Sequence, residues 1–252
     1  MTAATLEVMS PGALATIQDL GRTGWRRLGV PRSGVLDPAL LRIANRLAGN
    51  DEGAAAIEFF VAGPTLQAAG APLRLGLAGD FTATLVRANG ERAQLESWRS
   101  LTLKPGEALR LGAPKTSRTG VVAVAGLAVA AVLGSGSTYT RAGFGGHLGR
   151  ALAAGDKLAA KAVDSDGRIP ERRLKQPPAP QRGAPIRVVP GPQAEHFDAA
   201  ATARFFDGEY RVTSDADRMG MRLQGPVLSH QGAAEIVSDA TVPGSIQVSG
   251  NG

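Results

Sequence analysis

Turn signals fall so often in this chain that little of it can be helix. Asn89-Gly90, a dipeptide that accepts positive φ at both central turn positions, separates the apolar stretches Phe81 to Ala88 and Glu91 to Leu95. Leu101, Leu103, Leu109 and Leu111 alternate on either side of Pro105-Gly106, which predicts a second hairpin. Val121 to Val132 reads as a buried strand, and Arg187-Val188-Val189 opens another before Pro190-Gly191-Pro192. Glu235 to Val248 reads as two strands broken by Pro243-Gly244. With 33 glycines and 16 prolines in 252 residues, such spacing predicts a mainly β barrel or sandwich rather than βαβ units.

A few short helices interrupt the pattern. Asp37 is placed as an N-cap, Pro38 as the first helical residue, and Leu40, Leu41, Ala44, Leu47 and Ala48 share one face before Gly49 ends the helix. A second helix is expected over Glu195 to Phe206. The charged and proline-rich run between Asp164 and Pro185 divides the chain into an N-terminal β-rich part (1–165), a linker (166–185) and a second β-rich part (186–252). Ser245 to Ser249 reads as a strand and Asn251-Gly252 as a turn awaiting a return strand, so the second part is expected to be incomplete at its C-terminal end.

Several chemistries are excluded or disfavoured. Without cysteine there is no thiolate nucleophile, disulfide or Cys-ligated metal. Neither G-x-x-x-x-G-K-[ST] nor G-x-S-x-G occurs, and Gly143 to Gly149 misses the dinucleotide-loop spacing and reads as a sharp turn. His147, His196 and His230 lie far apart with no carboxylate at ligand spacing, so no metal site is expected. The net charge of +6 comes from scattered basic residues, and aromatics are 4%, so no nucleic-acid partner is expected. The N-terminus has no signal-peptide pattern and Val121 to Leu133 is too short to span a bilayer, which predicts a cytoplasmic protein without membrane attachment.

The specific signal is a series of polar motifs. Thr16-Ile17-Gln18-Asp19-Leu20-Gly21-Arg22-Thr23-Gly24 is followed by Gly29-Val30-Pro31-Arg32-Ser33-Gly34 and Asp37 to Asn50. Then come Gly79-Asp80, Gly134-Ser135 with Ser137-Thr138, Gly149-Arg150 to Gly155-Asp156, Val188 to Gln193, Ser214 to Gly225, and Pro243 to Gln247. This series resembles, in order and over nearly the whole chain, the family variously described as the C-type subunit of 5-oxoprolinase, the second subunit of allophanate hydrolase, or biotin-dependent carboxyltransferase.

The resemblance implies a cyclophilin-like β-barrel architecture without prolyl isomerase activity. It also implies work alongside sister subunits: ATP-dependent opening of 5-oxoproline to glutamate with A-like and B-like proteins. The alternatives are the carboxyltransferase half of a biotin-dependent urea or amide carboxylase, and a regulatory protein that binds a histidine-kinase inhibitor. No cofactor is expected on this chain itself. ATP with Mg would be held by the partners, and biotin, in the second reading, would arrive on a carrier that this sequence lacks.

The residue types suit an amide or lactam substrate. Gln18 offers a donor and an acceptor, Arg22 a bidentate anion grip, Asp19 a base or a brace for Arg22, and Ser33 with Gly34 a hydroxyl and an N–H for an oxyanion. Gln18, Asp19, Arg22 and Ser33 are therefore the catalytic candidates. Gly34, Asp37, Asn45, Arg218, Arg222 and Gln247 are the substrate-binding candidates, with Asp37 also a helix cap and Asn45 also a partner for backbone.

Overall fold

A computed structural model of the chain describes residues 4–163, 170–179, 183–232, 236–237 and 241–252. Two units emerge, Met1–Pro180 and Gln181–Gly252.

In the first unit the alternating leucines and valines become two antiparallel sheets. One runs β11 (Lys157–Ala160), β1 (Ala4–Ser10), β4 (Thr65–Ala69), β9 (Ala108–Leu111), β6 (Thr82–Val86) and β7 (Arg92–Glu96). The other runs β2 (Leu14–Gln18), β3 (Ala56–Phe60), β10 (Thr119–Val124), β5 (Leu73–Ala78) and β8 (Arg99–Leu103). Leu6, Val8, Leu66 and Leu109 from the first sheet meet Ile17, Ile57, Leu75, Leu77 and Val122 from the second in one buried core. Phe59 and Phe81 meet there edge to face, 5.1 Å apart. The protein is thus mainly β, as expected, built of two antiparallel sheets around one core; neither sheet's ladder closes on itself among the described residues.

Helix α1 (Pro38–Ala48) covers the outer face of the second sheet. Asp37 is extended and accepts from Ala39 N at 2.8 Å and Leu40 N at 3.3 Å, while Gly49, at φ 89, donates to Asn45 O. Leu40, Leu41, Ala44 and Ala48 pack on Ala56, Ala78, Val121 and Ala123. β10 is consequently buried on both faces, Val122 and Val124 toward the other sheet and Val121 and Ala123 toward the helix. That is why it reads as a continuous apolar run. Gly76 makes the approach possible, since a Cβ there would sit 2.1 Å from Ala44 O.

The hairpin expected around Asn89-Gly90 forms, with Thr82 opposite Glu96 and Val86 opposite Arg92. The one expected around Pro105-Gly106 does not. β8 pairs with β5 in one sheet, whereas β9 pairs with β4 and β6 in the other. Leu101, Leu103, Leu109 and Leu111 all point into the same core. Alternation reports which face is buried, and strands facing across a core share the pattern of strands bonded side by side.

Beyond Val124 the expected strand breaks into turns, and Val132 returns only in an isolated bridge to Ser135. Residues 170–174 lie along the open edge of β8: Ser100 N donates to Arg172 O at 2.8 Å and Leu174 N to Trp98 O at 2.8 Å. That edge is thereby covered.

The second unit holds a 3-10 turn (Ala194–His196), α2 (Ala199–Asp207) capped by Asp198, and a ladder of β12 (Arg211–Val212) with β13 (Leu223–Gln224). The helix expected over Glu195 to Phe206 is thus split at Asp198. Arg187 to Val189 is not a strand: Val189 is 87% exposed, leaving the run without a face to bury. Among the described residues of Glu235 to Val248, and over Ser245 to Ser249, no strand forms either. Residues 233–235 and 238–240 lie outside the described set.

Candidate functional site

At Gln18 the chain leaves the edge of the second sheet, and residues 135–138 come alongside it. Thr138 donates to Ile17 O through both its N–H and its hydroxyl, each at 2.9 Å. Gln18 is 1% exposed, and both edges of its amide are used. Nε2 donates to Thr16 Oγ1 at 3.0 Å and to Thr138 O at 3.3 Å, and Oε1 accepts from Gly34 N at 3.1 Å. It joins three stretches distant in sequence and leaves no polar edge for a ligand.

The carboxylate of Asp19 accepts four hydrogen bonds: from Gly21 N (2.7 Å), Ser135 Oγ (2.6 Å), Gly136 N (2.6 Å) and Ser137 Oγ (2.5 Å). Burial pushes its pKa up, yet the four donors together hold it below the ordinary aspartate value. A carboxylate so stabilised as an anion is a poor base, and its geometry makes it an organiser of the 135–137 turn.

Arg22 is the largest fully buried side chain of this region, at 1% exposure. Nη1 donates to Ser33 Oγ at 3.1 Å, Nη2 to Ser137 O, and Nε to Val132 O at 3.4 Å, while Phe144 stacks 4.8 Å from the guanidinium carbon. Burial draws its pKa down, and the Asp19 charge partly offsets this. The contacts to Ser137 O and Val132 O fix both ends of a tight hairpin whose tip is Leu133-Gly134.

Ser33 departs from this pattern of mutual satisfaction. It adopts φ 53, Gly34 follows at φ 95, and the turn is pinned by Gly34 N on Gln18 and by Val35 N on Asp19 O at 3.0 Å. A left-handed serine costs about 1–2 kcal/mol relative to glycine. Such strain persists where the surroundings over-determine it. Ser33 Oγ accepts from Arg22, and among the described residues its own proton goes to no acceptor. It is half-buried, as Asp19 also is, and follows exposed Arg32 in the chain.

Gln18, Asp19, Arg22, Ser33 and Gly34 therefore come together. Asp37 and Asn45 stand outside that network: Asp37 caps α1, and Asn45, fully buried, donates to Ala54 O (2.7 Å) and Glu52 O (3.3 Å) and accepts from Asn50 Nδ2 (3.0 Å). Arg218, Arg222 and Gln247 belong to the second unit. There Arg222 O accepts from Thr213 N at 2.9 Å, burial draws the Arg218 pKa down to about 10, and Gln247 is exposed. Ser135, Ser137 and Phe144 were not singled out by residue chemistry. For the two serines the signal is small residues in an apolar, uncharged stretch, where a distant carboxylate and guanidinium can dock; Phe144, beyond Arg141, lies outside that stretch.

Nearby, Asp156 takes a bidentate grip from Arg150 (2.8 and 2.7 Å) and lies 3.4 Å from His147 Nε2. The Arg150 hydrogen bonds hold its pKa down at about 2. Among the described residues no three His, Cys, Asp or Glu side chains gather at metal-ligating distance.

Comparison with known proteins gives a consistent answer. Residues 28–252 match the family model described as carboxyltransferase domain, subdomain A and B. The chain is 35% identical, over 98% of its length and 77% of the relative's, to the C-type subunit of 5-oxoprolinase from Escherichia coli (strain K12). It is 30% identical over 88% of its length to urea amidolyase of Saccharomyces cerevisiae, of which it covers 12%. Among solved structures, that of TTHA0988 superposes with a TM-score of 0.82 at 35% identity over 99% of this chain. The Kluyveromyces lactis urea amidolyase gives 0.73 at 29% identity over 91% of this chain and 14% of its own. This chain spans about half (47%) of the TTHA0988 chain.

Proposed function

The chain belongs to the family of carboxyltransferase domains built from subdomains A and B, and from that membership we propose that it is a subunit of an ATP-dependent 5-oxoprolinase, which opens 5-oxoproline to glutamate together with A-like and B-like partners in the cytoplasm. The observation that carries this reading is the contact between Ser33 Oγ and the buried guanidinium of Arg22.

In lactam opening, the ring C–N bond breaks while water supplies hydroxide to the carbonyl carbon and a proton to the nitrogen. Negative charge gathers on the carbonyl oxygen on the way. A hydroxyl that already accepts from a cation donates its own proton more strongly, and the Ser33 proton goes to no acceptor among the described residues of its turn. Ser33 thus polarises the lactam oxygen, and Arg22 acts through it. The exposed Arg32, next to Ser33 in the chain, supplies a cation for the substrate's carboxylate. The described residues offer no phosphate-binding loop and no carboxylate cluster suited to Mg. In this proposal the nucleotide and its metal are held by the partners.

A second reading rests on the similarity to urea amidolyases. In it the same turn would polarise the carbonyl of urea or a related amide, with biotin brought by a carrier on another chain.

The deciding experiment is glutamate release from 5-oxoproline and ATP by this chain mixed with its A-like and B-like partners, each omitted in turn. Glutamate from the complete mixture, absent when this chain is left out, supports the first reading. Turnover unaffected by its omission, or carboxylation of urea in its place, sinks it.

A further inference from the structure

At the far side of the first unit the two sheets part between β7 and β8, leaving a cavity of about 380 Å³. Its wall is apolar where Leu95 and Leu101 meet. Its rim carries four cations, Arg74, Arg87, Arg99 and Lys104, against two carboxylates, Glu107 and Glu171. Both carboxylates are committed, Glu107 to Arg87 at 3.1 Å and Glu171 to Arg99. Among the described lining residues, cations thus outnumber carboxylates, although Arg87 also reaches Glu91 at 3.9 Å and Arg74 feels the Glu171 charge.

Arg74 is the unusual one. It is 2% exposed, and its guanidinium donates only to neutral oxygens: Ser100 Oγ (2.7 Å), Thr102 Oγ1 (3.2 Å) and Pro170 O (2.6 Å). Its Nε and that of Arg99, both buried, have no hydrogen-bond partner among the described residues. The Glu171 charge offsets part of the cost of burying Arg74, but no carboxylate among the described residues bonds it directly, and two orphaned donors beside one cavity add to that cost. Water filling the cavity would supply acceptors but no countercharge.

We infer that this cavity binds a small organic acid, its carboxylate held by the Arg74, Arg99 and Lys104 side and its short apolar body laid against Leu95 and Leu101. The volume lies at the small end of ligand pockets, which suits a short-chain acid. The site is independent of the Ser33 turn and of the proposed reaction.

Isothermal titration of the full chain with acetate, butyrate, hexanoate, octanoate and inorganic phosphate tests it. Saturable one-to-one binding is expected, tightening by roughly fourfold per methylene as apolar area is buried, with phosphate the weakest of the series. Arg99→Ala, at a partly exposed position, should weaken hexanoate by at least tenfold. Ala93→Leu, which fills the cavity from the edge strand, should weaken octanoate more than acetate. No saturable binding, affinity independent of chain length, phosphate as tight as hexanoate, or indifference to both substitutions would each overturn the inference.

Discussion

Asp19 and Arg22 stand three residues apart with opposite charges, yet they form no salt bridge and meet instead through Ser137. The serine hydroxyl donates to the Asp19 carboxylate, and its carbonyl accepts from the Arg22 guanidinium. Each charge is spent on organising backbone: Asp19 gathers residues 135–137, and Arg22 holds Val132, Ser137 and the Ser33 hydroxyl. A direct ion pair would have satisfied both charges and left neither turn anchored.

Ser137→Ala tests that bridge. The carbonyl remains, but the charge-assisted bond to Asp19 and the acceptor of Asp19 N, at 3.0 Å, are both lost. Two such bonds in a buried setting predict a loss of about 2–3 kcal/mol, read as a lower urea midpoint with an unchanged m-value. A midpoint shift corresponding to less than about 0.5 kcal/mol would mean that the hydroxyl is dispensable.

Ser33→Gly separates strain from chemistry. Glycine relieves the strain of φ 53 but leaves buried Arg22 Nη1 without its acceptor, so the two effects oppose and stability should change by no more than about 1 kcal/mol. It also deletes the hydroxyl that Arg22 polarises, and glutamate release should fall on the order of 100-fold. A folded variant that is fully active would remove Ser33 from the mechanism. Ser33→Thr, keeping the hydroxyl at greater strain, should retain more activity than Ser33→Gly despite lower stability.

Acid stability should follow the depressed carboxylates. Arg150 holds Asp156 at about 2 against an ordinary 3.8, and the donors around Asp19 lower it in the same direction. A folded pKa below the unfolded one means that the folded state binds fewer protons. The stabilisation is then fully present above the unfolded pKa and is lost as pH falls through the folded one. For Asp156 that window runs from about 4 down to about 2. Unfolding midpoints measured across it should fall less steeply in Asp156→Asn than in the parent chain, and a parallel slope would show that Asp156 is not linked.

What could be read in the sequence was local. Asp37, Pro38 and Gly49 marked α1 because capping is decided by neighbours, and Asn89-Gly90 marked its hairpin because turn chemistry is. The family motifs led to Gln18, Asp19, Arg22 and Ser33, which do converge. Their roles did not follow from residue type: Gln18 resembles a substrate ligand until Thr16, Thr138 and Gly34 are seen to use its whole amide. Pro105-Gly106 misled because a crossover between sheets and a hairpin share one leucine pattern. Ser135 and Ser137 stood in a family motif, but their role was not legible because their partner lies more than a hundred residues away.

Gly76→Ala probes the contact on which α1 depends. A methyl at this position would lie 2.1 Å from Ala44 O, 2.7 Å from Ala48 N and 3.1 Å from Leu47 Cβ, so backbone rather than a pliable side chain must yield. The helix can only lift from β5, loosening Leu40, Leu41 and Ala44 against Val121 and Ala123. Overpacking of that kind predicts a loss of about 3 kcal/mol and a melting temperature lower by on the order of 10 °C. Gly191→Ala is the control, since nothing lies within 4 Å of its added methyl and its φ is not positive. If calorimetry gave both variants the parental melting temperature, α1 would not depend on the close approach at Gly76. A large drop confined to Gly76→Ala would fix that approach as the reason a glycine sits in the middle of a buried strand.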